Sequence, residues 1–273
     1  MRKFYILILF VFVSIQCFAQ SDREIEAIVA EGKLLYRSEM ASWNGTDIFM
    51  DNYKNKENIG GYISYSEGDE SKCVFVSRSE NPKAIGTMTF DATFSLHTAK
   101  TDLKERDLTA VERELLDLRN KARAIVSNDT LFKFYQNTSY NFIPLISKEQ
   151  KKVYILTGPS KSGVVIFGND YLLEFDKKNN LKSKKALHKN IIPIEYAGNS
   201  QDSVETMHNH QAETGDYITA TDICTLMLYE KYANWSKHIV VSKKYMSVWD
   251  CNSDELHVTS MDAVQKISDA KKE

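Results

Sequence analysis

The sequence predicts an α+β fold, in which N-terminal helices and a β-hairpin region precede a C-terminal mixed β-sheet domain with one or two helices. Three observations support this prediction. Apolar residues recur at helical spacing after positions 22 and 108, they alternate at period two between 60 and 97, and short apolar runs separated by turn residues fill the second half. The 273 residues are 42% hydrophobic and 26% charged, which is typical of a globular chain and excludes a disordered or collagen-like one.

The first 19 residues have the pattern of a secretory signal peptide. A Met-Arg-Lys start precedes an apolar run over 4–15 and the small residue Ala19, and the run is short for a transmembrane helix. We therefore expect cleavage after Ala19, a secreted or periplasmic protein, and no transmembrane segment in the mature chain. Two alternatives are an uncleaved N-terminal anchor and lipid attachment at Cys17, where Gln16 is bulkier than the small residue normally found before such a cysteine.

The net charge of the chain is not that of a typical nucleic-acid-binding protein. The formal net charge is -2 and the sequence pI is about 6.3. A nucleic-acid-binding surface carries a clear excess of Lys and Arg. We therefore expect no nucleic-acid partner.

The N-terminal region, 20–135, is expected to contain two helices and several strands. A capping pattern at 21–24 begins a helix over about 22–40, and the hairpin region contains a turn at 67–69 and a further strand over 86–97. Thr109 begins a second helix, whose apolar residues recur at alternating steps of three and four. This seam either packs on its own domain or binds a partner helix.

The region 136–253 is expected to be the mixed sheet domain. Turn signals separate its apolar runs, and a helix over about 220–232 precedes a strand over 238–249. A polar C-terminal tail, 254–273, follows. The expected strands before the helix are 142–146, 153–157, 164–167, 171–175, 191–196 and 204–210.

Three cysteines follow the signal segment, and two interpretations remain open for them. Cys224 and Cys251 could form one disulfide in an oxidising compartment, which would leave Cys73 as a free thiol. Alternatively, all three are buried apolar side chains. No C-x-x-C pair is present, so their spacing does not indicate a metal site.

The segment Met207-His208-Asn209-His210 carries the clearest chemical signal. On a strand, residues i and i+2 point to the same face, so His208 and His210 can offer imidazole nitrogens to one ion. Asp222 lies in the first turn of the helix predicted to begin at Thr219, where its carboxylate can point towards the histidine pair. Two imidazoles and a carboxylate, with a fourth position open to water, are the donors of a catalytic zinc site.

His188 is a further candidate ligand. If 187–196 and 203–211 form an antiparallel hairpin, His188 lies opposite position 211, beside the histidine pair. A slip of one residue in this register would move His188 to the other face. The predicted zinc ligands are therefore His208, His210, Asp222 and His188.

This constellation resembles the JAB/JAMM (MPN) metalloprotease family over residues 204–249. The family's His-x-His-Pro and Ser-x-x-Asp motifs correspond to His208, His210, Thr219 and Asp222, although Gln211 replaces the proline and a threonine replaces the serine. The resemblance implies that the two histidines and the aspartate bind zinc and that Thr219 assists catalysis. It also implies an upstream glutamate as general base, and no Glu-x-x-Gly signature identifies one.

Two functions are consistent with this pattern. The first is a zinc-dependent hydrolase of peptide-like amide bonds, in which Thr219 would hydrogen-bond the developing oxyanion of a peptide-like substrate. The second is a non-catalytic envelope binding or interaction protein with a degenerate or absent metal site. The hydrolase is the leading hypothesis, and the interaction protein is the alternative.

Overall fold

The structure is a computed structural model. It describes residues 2–148, 150–196 and 203–271, with side chains from residue 22 onward. The predicted α+β class is confirmed, since four α-helices and several sheets occupy the described part of the chain. The helices are α1 (Arg2–Asn52), α2 (Ala110–Ser127), α3 (Ala220–Ala233) and α4 (Met261–Ala270).

Helix α1 is the central element, and it is longer than the helix expected over 22–40. Its apolar side chains continue beyond position 40, and Ala41 and Phe49 are fully buried. It also packs closely on α3, because Gly32 has no Cβ. A Cβ at Gly32 would lie 2.8 Å from the Cβ of Ile223, closer than real Cβ contacts. No helix among the residues with described side chains is long and apolar enough to cross a membrane.

The first sheet is antiparallel and lies between α1 and α2. Its strands, in spatial order, are β1 (Ile59–Glu67), β2 (Glu70–Ser77), β3 (Ala84–Phe90) and β4 (Lys100–Asp102). One face buries Phe75 and Met88 against α1, and the other buries Val74 against Leu115 of α2. The expected strand over 86–97 ends early because Asp91 forms a turn, accepting a hydrogen bond from the backbone N–H of Thr93.

The second sheet is also antiparallel and contacts three helices. It contains, in spatial order, β5 (Thr138–Ile146), β6 (Lys151–Pro159), β8 (Tyr171–Phe175) and β9 (Leu181–Ala186). Leu118 and Ala122 of α2 are buried on one face. Leu35 of α1 and Cys224 of α3 are buried on the other. The apolar seam of α2 thus packs inside its own chain.

The third sheet carries the histidine pair. It consists of β11 (Val204–Asn209), β12 (Trp235–Val241), β13 (Tyr245–Asp250) and β14 (Glu255–Ser260), in that order. Strands β11 and β12 are parallel, and α3 forms the crossover between them. The remaining strands, β7 (Val164–Gly168) and β10 (Ile191–Glu195), form a separate antiparallel pair. Phe167, Ile223 and Trp249 share one core between this pair, α3 and the third sheet.

Three details differ from the sequence-based expectations. The hairpin expected between 187–196 and 203–211 is wrong, since β10 pairs with β7 and β11 pairs with β12. The strand expected over 238–249 is interrupted at Ser242, whose hydroxyl accepts a hydrogen bond from the N–H of Tyr245 and turns the chain into β13. The segment 254–273, predicted as a polar tail, contributes β14 and α4.

The three cysteines that follow residue 19 are buried and unpaired. Cys73, Cys224 and Cys251 are all free thiols in the structure. Cys73 and Cys224 are fully buried within apolar clusters, and Cys251 is 6% exposed. The structure therefore matches the second of the two interpretations, in which cysteines serve as small apolar side chains.

Candidate metal centre

The structure brings the four predicted ligands together. One potential ligand atom from each of His188, His208, His210 and Asp222 lies within 4.8 Å of all the others, and all four side chains are buried. His208 is in β11, and His210 follows its last residue. Asp222 lies in the first turn of α3, and His188 comes from the connection between β9 and β10. Three separate parts of the fold therefore meet at one point.

Several distances between the donor atoms are close to the edge length of a tetrahedron around a small cation. The Nε2 atom of His210 lies 3.0 Å from Nε2 of His188 and 3.1 Å from Nε2 of His208. Oδ1 of Asp222 lies 3.5 Å from Nε2 of His188 and 3.7 Å from Nε2 of His208, and its Oδ2 lies 3.2 Å from Nε2 of His210. Ligands about 2.0 Å from a tetrahedral zinc are separated from one another by about 3.3 Å.

Two of the imidazole rings are oriented by partners that can only accept hydrogen bonds. Nδ1 of His188 is 2.7 Å from Oδ1 of Asp170, and Nδ1 of His210 is 2.9 Å from the carbonyl oxygen of Tyr217. Each Nδ1 must therefore carry a proton. In the neutral rings, the two Nε2 atoms then present lone pairs to each other. Two lone pairs 3.0 Å apart repel unless a proton or a metal ion lies between them.

Two further contacts permit a protonated Nδ1 in His208 as well. Its Nδ1 is 2.8 Å from Nε2 of His238, and Nδ1 of His238 is 2.7 Å from Oγ1 of Thr206. If each Nδ1 donates, the hydrogen bonds run from His208 to His238 to Thr206. Nε2 of His208 then also presents a lone pair. His238 is fully buried, and its ring stacks on Phe167 at 4.8 Å.

Asp222 contributes a buried oxygen without a hydrogen-bond partner. Its Oδ2 accepts hydrogen bonds from the backbone N–H of Thr219 at 2.9 Å and from the Thr219 hydroxyl at 2.7 Å. Its Oδ1 has no hydrogen-bond partner in the described part of the chain and faces Nε2 of His188 and His208. Buried oxygens without a partner are rare in native proteins, and a bound ion can satisfy such an atom.

Electrostatics divide the cluster into neutral and charged members. Burial lowers the pKa of His208 to about 4 and that of His238 to about 3, so both are neutral at pH 7. Burial also lowers the pKa of His188, but Asp170 and Asp222 outweigh it and raise the pKa to about 11. Burial raises the pKa of Asp222, yet His188 and His208 hold it well below the ordinary value. The buried carboxylate is thus balanced by a protonated His188, whose proton a metal ion would replace.

The connection that carries Asp170 depends on one glycine. Gly168, at the end of β7, has a φ of +76°, and a Cβ there would lie 2.2 Å from the carbonyl oxygen of Asn190. This close approach holds the loop of His188 against Asp170, which also accepts a hydrogen bond from the backbone N–H of His188 at 3.1 Å. The hydroxyl of Thr221 donates to the other oxygen of Asp170.

Sequence reasoning missed the residues that orient the ligands. Asp170 is part of a Gly-Asn-Asp turn, so its pattern indicates a turn and nothing more. His238 is a single histidine in a strand, and only the parallel register that pairs it with Thr206 brings it next to His208. The acceptor at Tyr217 is a backbone carbonyl, which no side-chain pattern reveals.

Thr219 lies at the N-cap of α3 and forms a capping box with Asp222. Its hydroxyl hydrogen-bonds Asp222 and approaches Oγ1 of Thr221 at 2.9 Å. It therefore orients the carboxylate. Its predicted part in catalysis stays a prediction.

The centre is enclosed. The exposed fractions of its four residues run from 1% to 8%. The cavity that reaches Asp222 has a volume of about 10 Å³, which is room for about one water molecule. Two glutamates precede the histidine pair in this half of the chain: Glu195 is exposed on β10, and Glu149 lies outside the described residues.

Comparison with protein-family models, with curated proteins and with solved structures gives no match for this chain. The buried cluster is compatible with a metal site, and its resemblance to the JAB/JAMM motif remains a local one. What the centre can do follows from its own donor atoms and enclosure.

Proposed function

We propose that this chain is a zinc-binding protein whose metal is held by His188, His208, His210 and Asp222. The observation that supports the proposal is the convergence of three imidazole Nε2 atoms on a buried carboxylate whose Oδ1 has no hydrogen-bond partner among the described residues. Nitrogen donors with one carboxylate at tetrahedral spacing suit Zn²⁺, whereas Mg²⁺ and Ca²⁺ prefer oxygen donors in larger numbers.

We infer that the zinc has a structural role. The four side chains would together supply all four ligands of a tetrahedral zinc, whereas a catalytic zinc keeps one position for water. The ligands come from the β9–β10 connection, from β11 and from α3, so a bound ion would cross-link three parts of the fold. This supports the second function considered from the sequence, a non-catalytic binding or interaction protein of the cell envelope.

A zinc-dependent hydrolase of peptide-like amide bonds is the second candidate. One observation favours it: the histidine pair ends a strand and Asp222 begins the following helix, which is the arrangement that the JAB/JAMM resemblance implies. Hydrolysis would require His188 to leave its position to water. It would also require the Thr219 hydroxyl to turn away from Asp222.

Elemental analysis of the purified protein tests metal binding. We expect one zinc per chain, lost in His208→Ala and retained in His257→Ala, a histidine exposed outside the centre. Absence of stoichiometric metal, or full retention by His208→Ala, would overturn the zinc proposal.

Two further measurements separate a structural zinc from a catalytic one. Chelation should lower the melting temperature of the wild type and leave that of His208→Ala unchanged, because zinc that binds the folded state stabilises it. The zinc-loaded protein should not cleave amide substrates. An amidase activity that His208→Ala abolishes would favour the hydrolase instead.

We also propose export from the cytoplasm, on the composition of the first 19 residues. Mass spectrometry of the secreted or periplasmic protein should find an N-terminus at Gln20. Modification at Cys17 would indicate a lipoprotein instead.

A further inference from the structure

A second cavity, separate from the zinc ligands, lies where α1, α3 and the second sheet meet. This cleft has a volume of about 320 Å³, within the range of small-molecule sites. None of the four proposed ligands lines it, although Thr157 and Thr225 line both the cleft and the small cavity beside Asp222.

Glu39 of α1 places a buried carboxyl group in the wall of this cleft. The residue is 8% exposed, and its Oε2 accepts a hydrogen bond from Nδ2 of Asn141 at 2.8 Å. A carboxylate has about four acceptor sites. None of the ion pairs among the described residues includes this carboxyl. Glu39 is therefore a buried acid without a contacting counter-ion among the described residues.

The lining of the cleft is acidic. Asp47, one helical turn beyond Trp43, adds a second carboxylate, and no Lys or Arg lines the cleft among the described residues. Arg119 does not line the cleft. Its guanidinium lies over the ring of Tyr62, 4.7 Å from the ring centroid. Burial raises the pKa of Glu39 to about 7, against the lowering effects of Asn141 and Arg119.

Aromatic rings form part of the wall. Trp43 and Tyr229 line the cleft with their ring centroids 6.1 Å apart, and Trp43 also stacks on Tyr232. Trp43 is 42% exposed, which is unusual for so large an apolar side chain. Aromatic faces attract cations and cover aliphatic chains.

We propose that this cleft binds a primary ammonium group on an aliphatic stem. The ammonium would donate hydrogen bonds to the Glu39 carboxylate and to Oδ1 of Asn141, whose Nδ2 already donates to Glu39. The stem would lie against Trp43 and Tyr229. A free diamine and a lysine side chain share this chemistry.

Calorimetric titration in an amine-free buffer tests the proposal and separates the two sources. Cadaverine serves as the free diamine and Nα-acetyl-lysine methylamide as the lysine side chain. We expect saturable binding of at least one of them and none of pentanol, which has a stem without the charge. Tighter binding of cadaverine would indicate a free amine, and tighter binding of the lysine derivative would indicate a peptide.

Glu39→Gln should weaken binding by about tenfold or more, since it removes the charge from a charge-assisted hydrogen bond. Asp51→Asn changes an exposed acid on the same helix and should leave binding unchanged. Trp43→Ala provides a second test at an exposed position, with Phe134→Ala, which is 72% exposed outside the cleft, as its control.

Three results would overturn the proposal. In the first, neither amine binds. In the second, wild type and Glu39→Gln bind the amine equally tightly. In the third, the protein binds an uncharged sugar such as glucose in place of the amines. If Glu39→Gln does not fold, as judged by circular dichroism, unchanged amine binding by Trp43→Ala would refute the site.

Discussion

At the scale of single residues, the partners of Nδ1 decide what each histidine can do at Nε2. Asp170 and the carbonyl of Tyr217 fix a proton on Nδ1 of His188 and His210, and His238 occupies the corresponding place for His208. Such partners hold a ligand ring in orientation and adjust its basicity. Asp170 and His238 are therefore positioning residues for the proposed zinc centre.

The His238→Ala variant tests this role. It keeps all four proposed ligands but removes the partner of Nδ1 in His208, so zinc affinity should fall by about 10–100-fold. Competition with a zinc chelator measures the affinity, and His257→Ala serves as the control. Unchanged affinity in a folded His238→Ala protein would show that His238 only fills space.

At the scale of secondary structure, the first turn of α3 contains both the capping box and one proposed metal ligand, Asp222. Thr219 and Asp222 satisfy each other's backbone N–H groups, and the same Thr219 hydroxyl holds Oδ2 of Asp222. The geometry of the helix terminus therefore sets the direction of Oδ1. Capping by Thr219 accounts for its position without a role in catalysis.

Two substitutions at Thr219 test whether its hydroxyl caps α3. Thr219→Ala should lower the free energy of unfolding by about 1–2 kcal/mol, since the cap is lost, and it should weaken zinc binding. Thr219→Ser keeps the hydroxyl and should retain most of the stability and most of the zinc affinity. Urea denaturation gives the stability. Equal stability of the alanine and serine variants would contradict the capping role.

At the scale of the whole molecule, buried acids tie the stability of the fold to pH. Glu39 of α1 contacts Asn141 of β5 and is influenced by Arg119 of α2, so it lies at a junction of three elements. Burial raises its pKa from the ordinary 4.5 to about 7. Burial raises the pKa of Glu230 of α3 to about 7 as well. Both acids are protonated more readily in the folded chain than in the unfolded one.

The contribution of Glu39 to stability should therefore fall as the pH rises. Between pH 4.5 and 7 the folded state holds the Glu39 proton more tightly than the unfolded state does, so its contribution is full below 4.5 and lost above 7. The expected loss from Glu39 is about 3 kcal/mol. Glu39→Gln should remove this part of the slope in denaturation measured from pH 4 to 8. An unchanged slope would show that Glu39 stays ionised.

Local patterns predicted much of the fold and of the candidate centre. The strands of the second sheet and the starts of α2 and α3 follow from apolar periodicity and capping residues. His208 and His210 face one point because alternate residues of a strand share a face, and Asp222 lies in the first helical turn as its capping pattern predicts. The sequence placed His188 beside the histidine pair through a hairpin that the described residues do not form. His188 reaches the cluster from the β9–β10 connection instead.

The sequence by itself determined the local geometry of the candidate ligands, because periodicity and capping act over a few residues. Only the tertiary structure decided what surrounds them. The parallel pairing of β11 with β12 brings His238 to His208, and the loop at Gly168 brings Asp170 to His188. These contacts join residues 30 and 18 positions apart. Strand pairing and enclosure depend on packing between distant segments, and no local pattern encodes them. The candidate metal centre is enclosed, where the sequence predicted a position open to water, for this reason.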